Sequence, residues 1–155
     1  MIKLVPITED SFRKFLESET KNYAEEKVKS GNWRPEEAYA LSKEQMNSLL
    51  PHGKETEGQY VMAITDENGS EVGVLWYGIT DRGDLPGAYI WDIVVYEEFR
   101  GKGYGKEAMK ALEGEVLEKG VHRISLQVFG HNTVARSLYE KAGYEITNIV
   151  MSKVL

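Results

Sequence analysis

Two hydrophobic rhythms alternate along this chain, and glycines and prolines mark each change between them. Ile2 to Val5 is a short apolar run ended by Pro6, which predicts a strand. Thr8 then offers an N-cap, with Glu9 and Asp10 in the first turn, where negative charge suits the helix dipole. Phe12, Phe15, Leu16 and Tyr23 recur at helical spacing until Ser30-Gly31-Asn32 interrupts them. Pro35, followed by Glu36 and Glu37, opens a second helix that Pro51 ends after Leu50. Tyr60 to Ile64 is a continuous apolar run, Asn68-Gly69 a turn dipeptide, and Val72 to Ile79 the returning strand of a hairpin. Asp81-Arg82-Gly83-Asp84 with Pro86-Gly87 predicts another turn, and Ala88 to Val95 the strand after it.

From there the pattern runs helix, strand, helix, strand. Tyr104, Ala108, Leu112 and Val116 share one helical face, with Gly120 suited to the residue after the cap. Ile124, Leu126 and Val128 alternate with Arg123, Ser125 and Gln127 as a strand does. Asn132 to Ala142 reads as a short helix closed by Gly143, and Ile146 to Val154 as a final strand. A hairpin followed by β-α-β-α-β predicts an α/β (α+β) fold, a mixed sheet with helices on its faces. No repeat, low-complexity stretch or long linker divides residues 1–155, so a single domain is expected.

Composition narrows the chemistry. Hydrophobic residues make up 41% and charged residues 28%, the balance of a globular protein. No apolar run approaches the roughly 20 residues that span a bilayer, and the first residues lack the apolar core of a secretory signal. A cytoplasmic protein without a membrane partner is therefore expected. The absence of cysteine excludes disulfides, thiolate metal sites and a cysteine nucleophile. His52, His122 and His131 lack the helical spacing of metal ligands, so no metal is expected. A net charge of −6 disfavours nucleic acid as a partner. Against that background Arg100, Lys102, Lys106 and Lys110 crowd into one segment.

That segment holds the main motif. Val94-Val95 ends a strand, and Arg100-Gly101-Lys102-Gly103-Tyr104-Gly105-Lys106 leads straight into a helix. The first turn of a helix has N–H groups without intrahelical partners and the positive end of the dipole, which together attract anions. Glycines at 101, 103 and 105 keep side chains away from those groups. Neither the dinucleotide pattern G-x-G-x-x-G nor the P-loop fits: Lys106 stands where a last glycine would be needed, and Glu107 where a hydroxyl would bind magnesium. A nucleotide-binding Rossmann domain is disfavoured accordingly.

The spelling Arg-x-x-Gly-x-Gly, at 100, 103 and 105, resembles the coenzyme A pyrophosphate signature of the GNAT superfamily of N-acetyltransferases. Asn132-Thr133-Val134-Ala135-Arg136-Ser137-Leu138-Tyr139 through Tyr144 resembles the segment after that family's fifth strand, and Val150-Met151-Ser152-Lys153 its last strand. Asn22 to Lys29, with Gly31, Asn32 and Trp33, is similar to a branch of small bacillus-type GNAT proteins without an established substrate.

The resemblance implies a GNAT fold: a mixed, mostly antiparallel twisted sheet of about seven strands with about four helices. It implies acetyl-CoA as acyl donor and a primary amine of a small molecule or peptide as acceptor, in a direct transfer. An acyl-CoA-sensing module without turnover is the alternative. Small members of the family often form homodimers. Ile93, Val94 and Val95 would line the pantetheine arm, a backbone N–H near Val95 would face the thioester oxygen, the loop Arg100 to Lys106 would hold the pyrophosphate, and Asn132 would touch the arm. Tyr139 matches the family's general acid. The glutamate many relatives carry before the loop falls here on Trp91 or Tyr89, which cannot take a proton. Asp92 is the one carboxylate between Tyr89 and Val95, either a hydrogen-bonded structural group or a base or amine anchor; a water relay would serve instead. Tyr23, Trp33, Tyr77 and Trp91 are candidates to line an acceptor pocket.

Overall fold

The computed structural model describes residues 1–80 and 86–155. The elements follow in the order β1 (Lys3–Pro6), α1 (Glu9–Lys29), α2 (Pro35–Leu49), β2 (Gln59–Thr65), β3 (Glu71–Thr80), β4 (Gly87–Val95), α3 (Tyr104–Glu118), β5 (Ile124–Leu126) and α4 (Thr133–Lys141). Thr8 caps α1 as the sequence predicts, its side chain accepting from the Ser11 N–H at 3.2 Å. The predicted turn Asp81 to Asp84 lies outside the described residues.

The sheet has the order β1-β2-β3-β4-β5, antiparallel except for the β4–β5 pair, which is parallel. Two cores sandwich it. On one face Phe12, Phe15, Met46 and Leu50 of the α1–α2 segment meet Val61, Ala63, Val74 and Trp76. On the other, Ala108, Met109, Leu112 and Val116 of α3 meet Ile64, Val72, Leu75, Tyr77, Ala88 and Ile90. The near-continuous apolar run of β3 follows from this double cover.

Two expectations need correction. The sheet has five strands rather than about seven among the described residues, and β5 is only three residues long. The strand expected over Ile146 to Val154 does not form within the chain: residues 145–155 carry no regular structure and are exposed throughout. A strand persists only where neighbouring N–H and C=O groups pair with it. Here the α4 end is closed by Gly143, at φ 96, and by the Tyr144 N–H donating to the Tyr139 carbonyl at 3.0 Å, after which the chain finds no sheet neighbour among the described residues.

Candidate functional site

The parallel pair β4–β5 is short. Ala88, Tyr89 and Ile90 face Ile124, Ser125 and Leu126, and β4 then runs on to Val95 with no strand on that side among the described residues. A gap opens there, beside backbone groups that no ladder uses on the β5 side. Opposite β3 the register slips at the same point: Trp76 faces Asp92 and Tyr77 faces Ile90, leaving Trp91 as the extra residue of a bulge. Bulges re-aim side chains. Ile93 stays with the α3-side core while Trp91 and Val94 join the α1 side, so the alternation is reversed and Asp92 meets Glu19 of α1.

Glu19 is buried, at 9% exposure, in the middle of a long helix. Two carboxylates are both acceptors and cannot satisfy each other unless one keeps a proton. Burial, then the hydrogen bond and charge of Asp92 and the charge of Glu26, raise Glu19 far above the usual carboxylate range. Burial also raises Asp92, but hydrogen bonds from Glu19 and from the Ile93 backbone oppose that rise. Both carboxyls are therefore raised, burial being the larger cause in each, and a proton held by Glu19 lets it donate to Asp92. Asp92 is half-buried as a residue, yet its Oδ2 is sealed from solvent and has no hydrogen-bond partner among the described residues.

Tyr139 lies across from this pair, on α4. Burial, then the charge of Asp92, pushes its hydroxyl up to about 12, so it keeps its proton at neutral pH. Its ring meets Tyr144 edge-on at 5.9 Å. Asn132 caps the same helix, its Oδ1 accepting from the Ala135 N–H at 3.2 Å.

Past Val95 the chain reaches the glycine turn. Gly101 and Gly103 have φ of 77° and 81°, where a side chain is strained, although nothing lies within 4 Å of a Cβ at either. Gly103 caps α3 without a side-chain bond, and the first helical bond is from the Glu107 N–H to the Gly103 carbonyl at 3.1 Å. The N–H groups of Tyr104, Gly105 and Lys106 thus precede the first helical bond and point outward from the turn. A Cβ at Gly105 would stand 3.7 Å from Leu138 and 3.8 Å from Val95, ordinary contact distances that put the start of α3 beside the strand end and α4. Arg100 Nε donates to the Val95 carbonyl at 3.0 Å, and Lys102 lies 5.7 Å from the Phe99 ring centroid. A cleft of about 670 Å³ runs between α1 and this strand end, lined by Ser18, Glu19, Asn22, Val94, Tyr96 and Arg100 among others. The strand Ile93 to Val95 thus leads into the turn Arg100 to Lys106, and Asp92 lies near enough to Tyr139 for its charge to raise that hydroxyl.

The profile of the Acetyltransferase (GNAT) family matches residues 13–144. The chain belongs to the GNAT family. It is 43% identical over 154 residues to the uncharacterized N-acetyltransferase YycN of Bacillus subtilis (strain 168), covering 99% of each chain. A second relative from that organism, the uncharacterized N-acetyltransferase YdgE, is 35% identical over 152 residues, covering 98% of this chain and 97% of its own. The crystal structure of YycN superposes with a TM-score of 0.95 at 42% identity, covering 100% of this chain and 99% of that one. This GNAT chain is therefore an acetyltransferase by family, with the bulged β4 and glycine turn at its centre.

The aromatic candidates divide. Tyr23 and Trp33 meet edge-on at 5.6 Å, Phe129 joins them at 6.3 Å from Tyr23, and Trp91 lies 4.6 Å from Tyr89, all on the α1 side. Tyr77 does not belong with them. It is buried on the opposite face, where its hydroxyl donates to Glu115 Oε1 at 2.5 Å. The sequence reading missed Glu19, Glu26, Phe129 and His131, of which Glu26 and His131 form a side-chain hydrogen bond. One signal for Glu19 was present: it continues the stripe Phe12, Leu16, Tyr23 at helical spacing, a carboxylate where an apolar residue belongs.

Proposed function

We propose that this GNAT chain, as one domain, transfers an acetyl group from acetyl-CoA to a cationic primary amine, directly within a ternary complex. The observation that carries this reading is the parting of β4 from β5 after Ile90, between the glycine turn on one side and the pair Asp92 and Tyr139 on the other. A narrow gap edged by unpaired strand groups suits an elongated arm that carries amides, and the outward N–H groups of the α3 turn suit its pyrophosphate. The residues present therefore fit acetyl-CoA, with Ile93, Val94, Val95 and the amide of Asn132 along the arm and Arg100 to Lys106 at the phosphates.

When bound, acetyl-CoA supplies an activated acyl carbon and a sulfur leaving group. The protein's part is to bring the amine to that carbon and to manage two protons. Asp92 accepts the proton that the amine must lose. Glu19 keeps its own proton and holds Asp92 in place by donating to it. Tyr139 donates its proton to the sulfur as the carbon–sulfur bond breaks and the carbon–nitrogen bond forms; the nitrogen then sheds its second proton, which restores Tyr139, and Asp92 releases the first to solvent. The buried negative charge near Glu19, Glu26 and Asp92, with the rings of Tyr23, Tyr89, Trp91 and Phe129, favours a cationic acceptor over a neutral or acidic one.

An amine panel with acetyl-CoA, read as release of free thiol, tests this. Amine-dependent release is expected for cationic primary amines. Acetyl-CoA binding by calorimetry without release for any amine would instead favour a sensing module.

A further inference from the structure

Helix α4 carries Tyr139, yet little in its own sequence holds it. None of its nine residues is fully buried, and Thr133, Val134, Arg136 and Ser137 are exposed. Leu138 and Tyr139 pack on the α3-side core, but the first turn of the helix contributes no residue to it. The start of α4 is set instead by the tight turn before it. There the Asn132 N–H donates to the Phe129 carbonyl at 2.9 Å and the Thr133 N–H to the His131 carbonyl at 3.1 Å, while Asn132 Oδ1 caps the helix.

That turn is fastened to α1 at two points. His131 Nε2 donates a hydrogen bond to Glu26 Oε2, joining positions 105 residues apart. A carboxylate only accepts, so the imidazole supplies the proton. Beside this bond the Phe129 ring stacks on His131, 15° from parallel with centroids 5.7 Å apart, and meets Tyr23 of α1 at 6.3 Å. Tyr23 is held in turn by Gln45 of α2, whose Nε2 donates to its hydroxyl at 3.1 Å. Glu26 follows Glu19 by two helical turns on the same side of α1, close enough for its charge to help raise Glu19. One helix thus carries both the partner of Asp92 and the partner of His131.

We infer that Glu26 and His131 are positioning residues for the proposed transfer: the hydrogen bond between them fixes the start of α4 against α1, and so fixes where Tyr139 stands relative to Asp92 and Glu19. Their effect runs through α4 and not through proton exchange with the substrates. Transfer needs the proton donor and the proton acceptor at one carbon together, and a displacement of about 1 Å can cost about 10²-fold. A helix freed at its start tilts about its packed second half and turns the Tyr139 hydroxyl away. The effect on rate rests on the proposed reaction; the effect on α4 stands apart from it.

Two readouts keep these separate. In proton–nitrogen correlation spectra of the protein without substrates, Glu26→Ala should shift the amides from Phe129 through Tyr139 and leave those of Gly114 to Glu118 in α3 in place. Unmoved amides beyond Asn132 would overturn the inference whatever the rate. With an amine that is turned over, Glu26→Ala and His131→Ala should each lower kcat by about tenfold, with a smaller change in acetyl-CoA affinity by calorimetry. Glu26→Gln keeps an oxygen that accepts from His131 but loses the charge near Glu19, so it should recover most of that loss. In a Tyr139→Phe background, Glu26→Ala should cost almost nothing more, because no hydroxyl is left to position. A Gln variant as slow as the Ala variant, or the full loss repeated in the Tyr139→Phe background, would overturn the inference. Should no amine be turned over, the proposed reaction fails and the amide shifts alone decide this inference.

Discussion

Removing one carboxyl at a time from the Asp92–Glu19 pair should give two unlike enzymes. Two carboxylates at about 4 Å, with an effective dielectric near 20, repel by about 4 kcal/mol, or roughly three pKa units. That repulsion adds to burial, the larger cause, in raising Glu19. With Glu19 protonated, the pair carries at most one charge and an internal proton. Glu19→Gln preserves that state, because the amide can donate to Asp92 as the acid does. Turnover at pH 7 should stay within about tenfold of the unaltered protein. Glu19→Ala removes the donor and should lose more, with the loss recovered by Gln. Asp92→Asn deletes the acceptor itself, so turnover should fall by about 10²–10⁴-fold, while acetyl-CoA affinity measured by calorimetry stays near its original value. Stability carries a second signature. A folded pKa raised above the unfolded one means the native state holds the proton more tightly. The stability this gives is therefore full below the ordinary carboxylate value and is lost as pH rises through the folded value. Melting temperature should decline with rising alkalinity in the unaltered protein and decline less in Glu19→Gln. Full turnover in Asp92→Asn, or equal behaviour of the Ala and Gln variants at Glu19, would refute the reasoning.

Gly103→Val should raise the acetyl-CoA dissociation constant by on the order of tenfold or more, as calorimetry reads it. The cause is the strained φ of 81° that a branched residue must leave, which reshapes the turn. Gly73→Ala should lower the melting temperature by several degrees, because a Cβ there would sit 2.1 Å from the Val94 carbonyl oxygen on β4. Circular dichroism on heating checks it, and an unchanged transition would mean that the β3–β4 ladder yields more easily than its geometry implies.

Much of the fold was legible because its elements carry their own periodicity. Phe12, Phe15 and Leu16 spell α1, the Asn68-Gly69 turn spells the β2–β3 hairpin, and Gly120 and Gly143, at φ of 75° and 96°, mark the ends of α3 and α4. The glycine turn was legible from spelling alone. The bulge at Trp91 was not, since no glycine or proline announces it, and it decides where Asp92 points. Glu19 was hidden for a related reason: its burial depends on that bulge in a strand more than seventy residues later. The final strand shows the opposite failure. Ile146 to Val154 has the pattern of a strand, but a pattern does not say which sheet edge receives it, and among the described residues none does.

The account turns on Tyr139 giving a proton to the departing sulfur, and removing only its hydroxyl tests that most directly. Tyr139→Phe keeps the ring that packs on Tyr144, so fold and acetyl-CoA affinity should hold. With an acceptor amine from the panel, turnover should drop by about 10²–10⁴-fold, and the drop should shrink for an acyl donor whose thiol is more acidic and needs less protonation. Equal turnover of Tyr139→Phe and the unaltered protein with acetyl-CoA would contradict the account.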